Sequence, residues 1–365
     1  MVSDSNRTRI SGNEGFNKFK SMELPRAIVV GNDALERTAE TLKGLKLHGD
    51  VLIVCDHTTR KIAGERVREL MEDMDNPVEI MEIKGASQRM VDKIVNTGAD
   101  DRFSMLFGVG GGVPIDVAKY SSFLMDIPFI SVSTAASHDG IASARASIYR
   151  RGKKVSVNAH TQVALIADTG MIANSPFRLL ASGCGDIIAN ATAVKDWILA
   201  KKLRNEPYSN YAANLSEMTA YTLIENSDSI KPGLEESAWM VVKALVSSSV
   251  AMSIAGSSRP ASGSEHMFSH SLDSLVKEPA LHGEQCGVGT IIMMYLHGGN
   301  WVQIKNALEA MGAPTTAKGL EQDEEDIVEA LVRAPEIRPD RYTILGTKRM
   351  NRDAAESAAI ETGVI

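Results

Sequence analysis

Between residues 26 and 134, short apolar runs alternate with stretches whose apolar positions recur at helical spacing. The runs are RAIVVG (26–31), VLIVCD (51–56), VEIMEI (78–83), FSMLFGVGGG (103–112) and FISVST (129–134). Nearly continuous in Val, Ile, Leu and Phe, they have the composition of strands covered on both faces of a parallel sheet. The stretches between them predict helices over 35–45, 61–74, 90–97 and onward from Pro114. Strand and helix alternating at this rhythm predict βαβ units in an open, Rossmann-like sheet. KVSVNAH (154–160) and VALIAD (163–168) read as a hairpin or as edge additions.

Beyond Asn174-Ser175-Pro176 the strand-like runs stop. Amphipathic segments over 178–200, 215–226, 235–255, 266–276 and 289–295 take over, with turns at Pro232-Gly233 and Arg259-Pro260. The pattern predicts an α/β domain over 1–175 followed by an all-helical domain over 176–365, and the length suits two cores. Residues 1–22 are polar and read as a loose or short helical lead-in, and EQDEED (321–326) reads as a solvated helix start.

Composition narrows the function classes. A net charge of −7 gives no reason to expect nucleic acid or an anionic membrane as the main partner. No apolar run approaches the roughly 20 residues that span a bilayer. The start, MVSDSNRTRISGNEGF, lacks the apolar stretch of a secretion signal. Cys55, Cys184 and Cys286 are too widely spaced for a disulfide framework or a thiolate zinc cluster. A soluble protein of a reducing cytoplasm is expected.

The segment GVGGGVPIDVAKY (108–120) follows a buried-type strand and opens a helix. Its glycines, Gly110, Gly111 and Gly112, let the backbone approach a pyrophosphate, and Pro114 suits a first helical turn whose N–H groups attract anions. The match to G-x-G-x-x-G is broken at Val113, and the loop follows a late strand, so on the glycines alone a tight packing turn is the stronger reading. Asp56 ends its strand either as an acceptor for an adenosine ribose hydroxyl or as a helix cap.

Of the eight histidines, His48, His57, His138, His160 and His297 lack a ligand-spaced neighbour. His266 and His270 are four apart and project from one helical face, and His282 follows His266 by sixteen. A carboxylate such as Asp186, after a glycine turn, would complete an O/N set suited to zinc. Spacing alone favours the pair His266 and His270, and histidines bonded within a helical bundle remain the bland alternative.

The motifs FGVGGGVPIDVAKY, STAASHDGIASARAS, SGCGDIIAN, SGSEHMFSH and LHGEQCGVG, in this order, resemble the superfamily of iron-containing alcohol dehydrogenases, glycerol dehydrogenases and dehydroquinate synthases. Within it the resemblance is greatest to the archaeal sn-glycerol-1-phosphate dehydrogenases, over about residues 23–345. It implies a dehydroquinate synthase-like fold, with the helical domain binding metal and substrate. It also implies Zn2+ on Asp186, His266 and His282, with Asp139, Asp186 and His270 toward substrate and His270 and Asp139 catalytic. NAD(H) or NADP(H) phosphates are then expected on Gly112, Val113, Pro114, Ile115 and Asp116, with Thr134, Ala135, Ala136, Ser137 and Ser143 on the nicotinamide side. The implied reaction exchanges hydride between nicotinamide and C2 of dihydroxyacetone phosphate or sn-glycerol 1-phosphate. Zinc serves as Lewis acid, and His270 or a relayed water moves the proton. The implied role is supply of the glycerophosphate backbone of archaeal ether phospholipids by a homo-oligomeric enzyme. Candidates for the substrate phosphate are the hydroxyls and backbone of SHDGIASARAS with Arg145, or Arg259, although a surface or structural role is the leading reading of both arginines. A dehydroquinate synthase-type lyase, a glycerol dehydrogenase and a metal-free binding protein are the alternatives on the same fold.

Overall fold

The computed structural model describes residues 22–98, 102–151 and 153–365, and the expected lead-in lies mostly outside them. Six strands form one parallel sheet: β1 (Ala27–Gly31), β2 (Val51–Cys55), β3 (Val78–Glu82), β4 (Met105–Gly110), β5 (Phe129–Ser133) and β8 (Ala164–Asp168). Their spatial order is β1-β8-β5-β4-β2-β3. The continuous apolar runs have the expected cause. Side chains of one strand alternate between two cores, with Leu52, Val54, Leu106 and Leu165 on one face and Val51, Ile53, Met105 and Ile166 on the other.

Two strand expectations are corrected. VALIAD is neither edge nor hairpin, since β8 lies inside the sheet between β1 and β5. The hairpin partner of β7 (Lys153–Asn158) is instead β6 (Arg145–Arg150), paired antiparallel as Arg145↔Asn158 through Arg150↔Lys153. RASIYR alternates buried and more open positions, which hid it among the polar residues of the SHDGIASARAS segment.

Among the described residues no strand follows β8, and the rest is helical. The expected helix 178–200 is two, Phe177–Ile188 and Asn190–Arg204, while Glu235–Ala255 has the expected bounds. Ser264–Leu275 and His282–Leu296 carry the three clustered histidines. Trp301–Ala310, Glu324–Ile337 and Arg352–Glu361 complete the bundle, and the acidic run does open a helix at Glu324. The fold is thus a parallel α/β sheet unit followed by a helical unit.

One helix departs from the expectation about bilayers. Glu235–Ala255 has 21 residues and a mean hydropathy of 1.6, long and apolar enough to cross a membrane by length and composition. Here it is a packing helix. Val241, Val242 and Leu245 are fully buried, and Ser249 Oγ donates to the backbone carbonyl of Asp139 at 3.1 Å.

Candidate active site

A cleft of about 840 Å³ lies between the carboxyl end of the sheet and the helical bundle, a size that holds a cofactor-scale ligand. Its sheet wall is built around the glycine loop. Gly110 has φ 150, and a Cβ there would meet Pro114 Cγ at 2.7 Å, so β4 turns into the helix Gly112–Met125 only with glycine. At Gly112 a Cβ would meet His138 Nε2 at 2.0 Å, so its missing side chain is the space the His138 ring occupies. No side chain caps this helix, which leaves its first-turn N–H groups facing the cleft as an anion site.

Lys119, wholly buried on the same helix, holds the opposite rim. Its Nζ donates to the carbonyls of Gly140 and Arg145 and lies 3.5 Å from Asp116 Oδ1. The second Asp116 oxygen accepts Ser147 N at 2.9 Å. Together they pin the segment 138–147 against the loop.

The floor belongs to the helices. Gly185 and Gly283 let Phe177–Ile188 cross His282–Leu296 at backbone contact: a Cβ on Gly185 would meet Gly283 O at 2.2 Å, and one on Gly283 would meet Ser182 O at 1.8 Å. That crossing brings Asp186 under the His282 ring. Asp186 Oδ1 lies 3.5 Å from His266 Nε2 and 3.8 Å from His282 Nε2. Among the described residues, Asp186, His266, His282 and Cys286 place ligand atoms within 4.8 Å of one another. Asp186 is 2% exposed and its Oδ1 has no hydrogen-bond partner, while Oδ2 accepts Asp139 N at 2.8 Å. An orphaned buried carboxylate oxygen is costly, and a cation in the cluster would satisfy it. The donor set therefore fits a divalent ion with borderline-soft preference.

Buried neighbours fix which nitrogen each histidine offers. Glu265, wholly buried, accepts at Oε1 from Gly263 N (2.6 Å) and from His266 Nδ1 (3.0 Å), and at Oε2 from Thr192 Oγ1 (2.9 Å). His266 Nδ1 is therefore committed to Glu265, and Nε2 is the nitrogen turned to Asp186, the one an ion would claim by displacing its proton. For His282 the chain is longer. Gln285 Nε2 donates to Asp273 Oδ1 (3.0 Å) and Ala280 O (2.8 Å), so its Oε1 must accept the Ser269 hydroxyl (3.0 Å). Ser269 Oγ, its proton committed, accepts from His282 Nδ1 at 3.1 Å, and Nε2 is the free nitrogen. Asp196 anchors the start of the first histidine helix, accepting Ser264 N at 2.7 Å and Ser264 Oγ at 2.6 Å.

Electrostatics sort these groups. Burial, then the charge of His266, holds His282 well below the usual histidine range, so it stays a neutral ligand. His270 is likewise depressed by burial, then by His266 and Arg338. Burial also opposes charge on His266, but Cys286, Asp186 and Glu265 outweigh it and hold that ring well above the usual value. Burial, then Asp186, raises Asp139 to about 7, and burial pushes the Cys286 thiol up to about 11.

Beside this floor stand cations. Arg145, Lys154 and Arg338 all line the cleft. Arg145 is tied to β7 through Ser156 Oγ and Asn158 Oδ1, and Lys154 Nζ reaches Asp273 Oδ2 at 3.2 Å. Arg338, at the end of Glu324–Ile337, makes one long bond, to Ser258 Oγ at 3.4 Å. Burial, then the Arg145 charge, lowers the proton affinity of Arg338, strain that an anion in the cleft would relieve.

Residues 29–176 match the family described as iron-containing alcohol dehydrogenase. The chain is 56% identical over 349 residues to the glycerol-1-phosphate dehydrogenase [NAD(P)+] of Methanosarcina acetivorans, covering 96% of this chain and 98% of that one. The chain belongs to the glycerol-1-phosphate dehydrogenase family. The relative so named in Thermococcus sibiricus is 52% identical, over 94% of this chain and 98% of its own. In fold, the chain is similar to glycerol dehydrogenase from Schizosaccharomyces pombe, with a TM-score of 0.80 at 21% identity over 94% of this chain and 90% of that one. It is also similar to an iron-containing alcohol dehydrogenase from Thermococcus thioreducens, with a TM-score of 0.74 at 15% identity over 94% and 99% of the two chains.

Against this family frame, most of the expected site residues meet in one cleft. Asp56, Gly111, Gly112, Val113, Pro114, Asp116, Thr134, Ala135, Ser137, Asp139, Ser143, His266, His270 and His282 all line it. Gly110, Ile115 and Ala136 do not. Gly110 is the turn behind the loop, and the Ile115 and Ala136 side chains are wholly buried in the core, so only their backbone is available to a ligand. Asp116 is turned to Lys119 and Ser147, as positioning demands, and its charge would repel a phosphate. Asp56 acts as a cap: Oδ1 accepts Thr58 N and Thr59 N, both at 2.8 Å. Asp186 is 2% exposed and lies beneath the cleft, beside His266 and His282, which line it. His270 stacks on His282 with centroids 5.6 Å apart but stays outside the ligand cluster, against the helix-spacing preference.

Arg259 takes the structural of its two expected roles. It is 3% exposed, paired with Glu206 and bonded to Tyr342 O, which makes it structural. Sequence reasoning missed His138, whose signal was Gly112, and Glu265, whose signal was an acid beside a ligand histidine. It missed Lys154 and Arg338 too, and Arg338 carried no local signal at all.

Proposed function

We propose that this chain reduces dihydroxyacetone phosphate to sn-glycerol 1-phosphate with NAD(P)H, reversibly, using a divalent ion on Asp186, His266 and His282, with zinc the favoured metal. One observation carries the reading: the Asp–His–His floor, with its orphaned Asp186 oxygen, opens into the same cleft as Arg145, Lys154 and Arg338. A carbonyl beside a phosphate matches an ion site beside a cation cluster. When bound, the nicotinamide supplies hydride to C2 and the ion supplies Lewis acidity at the C2 oxygen. The remaining work falls to the chain. The uncapped first turn at Gly112 and Val113 binds the cofactor's pyrophosphate through backbone N–H groups. Thr134, Ala135, Ser137 and Ser143 border the nicotinamide, and the second Asp56 oxygen faces the adenosine ribose. Arg338 grips the substrate phosphate, with Lys154 and Arg145 adding charge. His270, held neutral by burial, accepts the alcohol proton in the oxidation direction and returns it in reduction.

The free, buried state of Cys55, Cys184 and Cys286 suits a reducing cytoplasm. Exposed Leu203 on Asn190–Arg204, with Tyr211 and Met218 on the adjoining helix Asn210–Glu225, suits a homo-oligomeric contact.

The test is an assay of dihydroxyacetone phosphate with NADH or NADPH, with and without chelator, followed by chiral analysis of the product. Steady nicotinamide oxidation, its loss with chelator and sn-glycerol 1-phosphate as product support the reading. Product of the sn-3 series, or turnover on glycerol without its phosphate, contradicts it. R338A should raise the KM for dihydroxyacetone phosphate by about tenfold to a hundredfold, the worth of one charge-assisted hydrogen bond.

A further inference from the structure

We propose that Cys286 is a fourth protein donor to the ion, so that the resting centre is an Asp–His–His–Cys tetrahedron, which the substrate oxygen would join as a fifth donor. This rests on the metal-site reading above. Cys286 follows His282 by one helical turn and shares its face. Its Sγ lies 3.6 Å from His282 Nε2, the nitrogen left bare by the Ser269–Gln285 chain. Asp186 Oδ1 stands 3.5 Å and 3.8 Å from the two histidine nitrogens.

Those separations are the edges of one polyhedron. Zinc bonds of about 2.0–2.2 Å to nitrogen and oxygen and about 2.3 Å to sulfur, at tetrahedral angles, set donor atoms about 3.3–3.6 Å apart. The four atoms lie within 4.8 Å of one another, so small side-chain shifts close the figure. A second observation points the same way: the Asp186 oxygen aimed into the group is 98% buried by residue and has no hydrogen-bond partner. Cys286 itself is fully buried, with its sulfur against the rings of both His282 and His266. Cys55 and Cys184 are buried too, but neither belongs to the cluster.

On binding, the S–H bond breaks, the sulfur–metal bond forms, and the proton leaves to solvent. A thiolate among the donors favours zinc or cobalt over magnesium or calcium, which take oxygen. Sequence spacing excluded a cluster of several thiolates and did not address a single one.

The experiment uses the full chain, stripped by chelator and given one equivalent of Co2+. Wild type should show the visible bands of bound cobalt together with a thiolate-to-cobalt charge-transfer band in the near ultraviolet. C286S should keep the visible bands, lose the charge-transfer band, and yield zinc to a competing chelator about tenfold more readily or worse. Visible bands without charge transfer in wild type overturn the proposal and leave the metal site standing. So does a C286S protein with unchanged spectrum and zinc affinity. Failure of wild type to bind cobalt at all removes the metal-site reading and this proposal with it. Should C286S not fold, zinc-edge X-ray absorption on wild type decides alone, through a sulfur neighbour at about 2.3 Å or none.

Discussion

The two walls of the cleft hold ligands by different means. The sheet wall offers backbone: an uncapped helix start, a positive-φ glycine at Gly110 and a glycine at Gly112 that leaves room for His138. The helical wall offers side chains, each aimed by another buried side chain, as Glu265 aims His266 and Ser269 with Gln285 aims His282. Backbone can accept a phosphate with no titrating group and little specificity beyond charge. A catalytic ion demands named donor atoms in fixed tautomers, which only a supported side-chain set supplies. Substitutions should therefore read out separately on the two walls.

The largest separation is expected at His270. H270A should cut turnover about a hundredfold to ten-thousandfold, the usual span of a general acid–base group, while metal content stays full. Loss of metal in that variant would move His270 into the ligand set and blur the division. E265Q comes next, because the neutral amide weakens the acceptor that orients His266. Zinc affinity should fall about tenfold to a hundredfold with the KM for NAD(P)H unchanged, as read by chelator competition beside steady-state kinetics.

On the opposite wall, G112A drives a Cβ into the His138 ring. Overpacking of this kind costs about 1–3 kcal/mol, so NAD(P)H binding should weaken by about tenfold while zinc stays bound. A fall in zinc content instead would show that the loop and the floor are one unit.

The smallest effect is in pH and belongs to the junction between the walls. Asp139 is raised from 3.8 to about 7 by burial and by Asp186. A raised folded value means the native state prefers the protonated acid, so this contribution to stability is full below about pH 4 and lost as pH climbs through about 7. In metal-stripped protein, Tm should drop over that window more for wild type than for D139N. Added zinc should shrink the difference, because a cation favours the carboxylate. Parallel Tm profiles for the two proteins would deny the shift.

How much was legible in the sequence follows the same division. The strands showed themselves, because burial on both faces demands continuous apolar runs such as VLIVC and ALIAD. Their order did not, because nothing within VALIAD states that β8 slides between β1 and β5. β6 was hidden because a hairpin with one open face alternates its side chains among Arg and Ser. On the helical wall, spacing favoured His266 with His270, since helical periodicity is all a local pattern contains. The pairing of His266 with His282 depends on Ser264–Leu275 packing on His282–Leu296, where Gly289 lies against Glu265 and Phe268, and Asp186 joins them through the Gly185–Gly283 crossing, long-range contacts that only the resemblance anticipated. Arg338 was illegible for the same reason: it reaches the cleft from the far end of the chain by folding alone.

The central claim is that one divalent ion on Asp186, His266 and His282 is required for reduction of dihydroxyacetone phosphate. Zinc should be titrated into stripped wild type and D186N while NADH oxidation by this substrate is followed. Wild-type activity should rise linearly and break at one equivalent per chain, with D186N lower by about a thousandfold or more, since Lewis-acid stabilisation is worth several kcal/mol. Full activity in the stripped protein, or a D186N that binds zinc and turns over like wild type, would contradict the account.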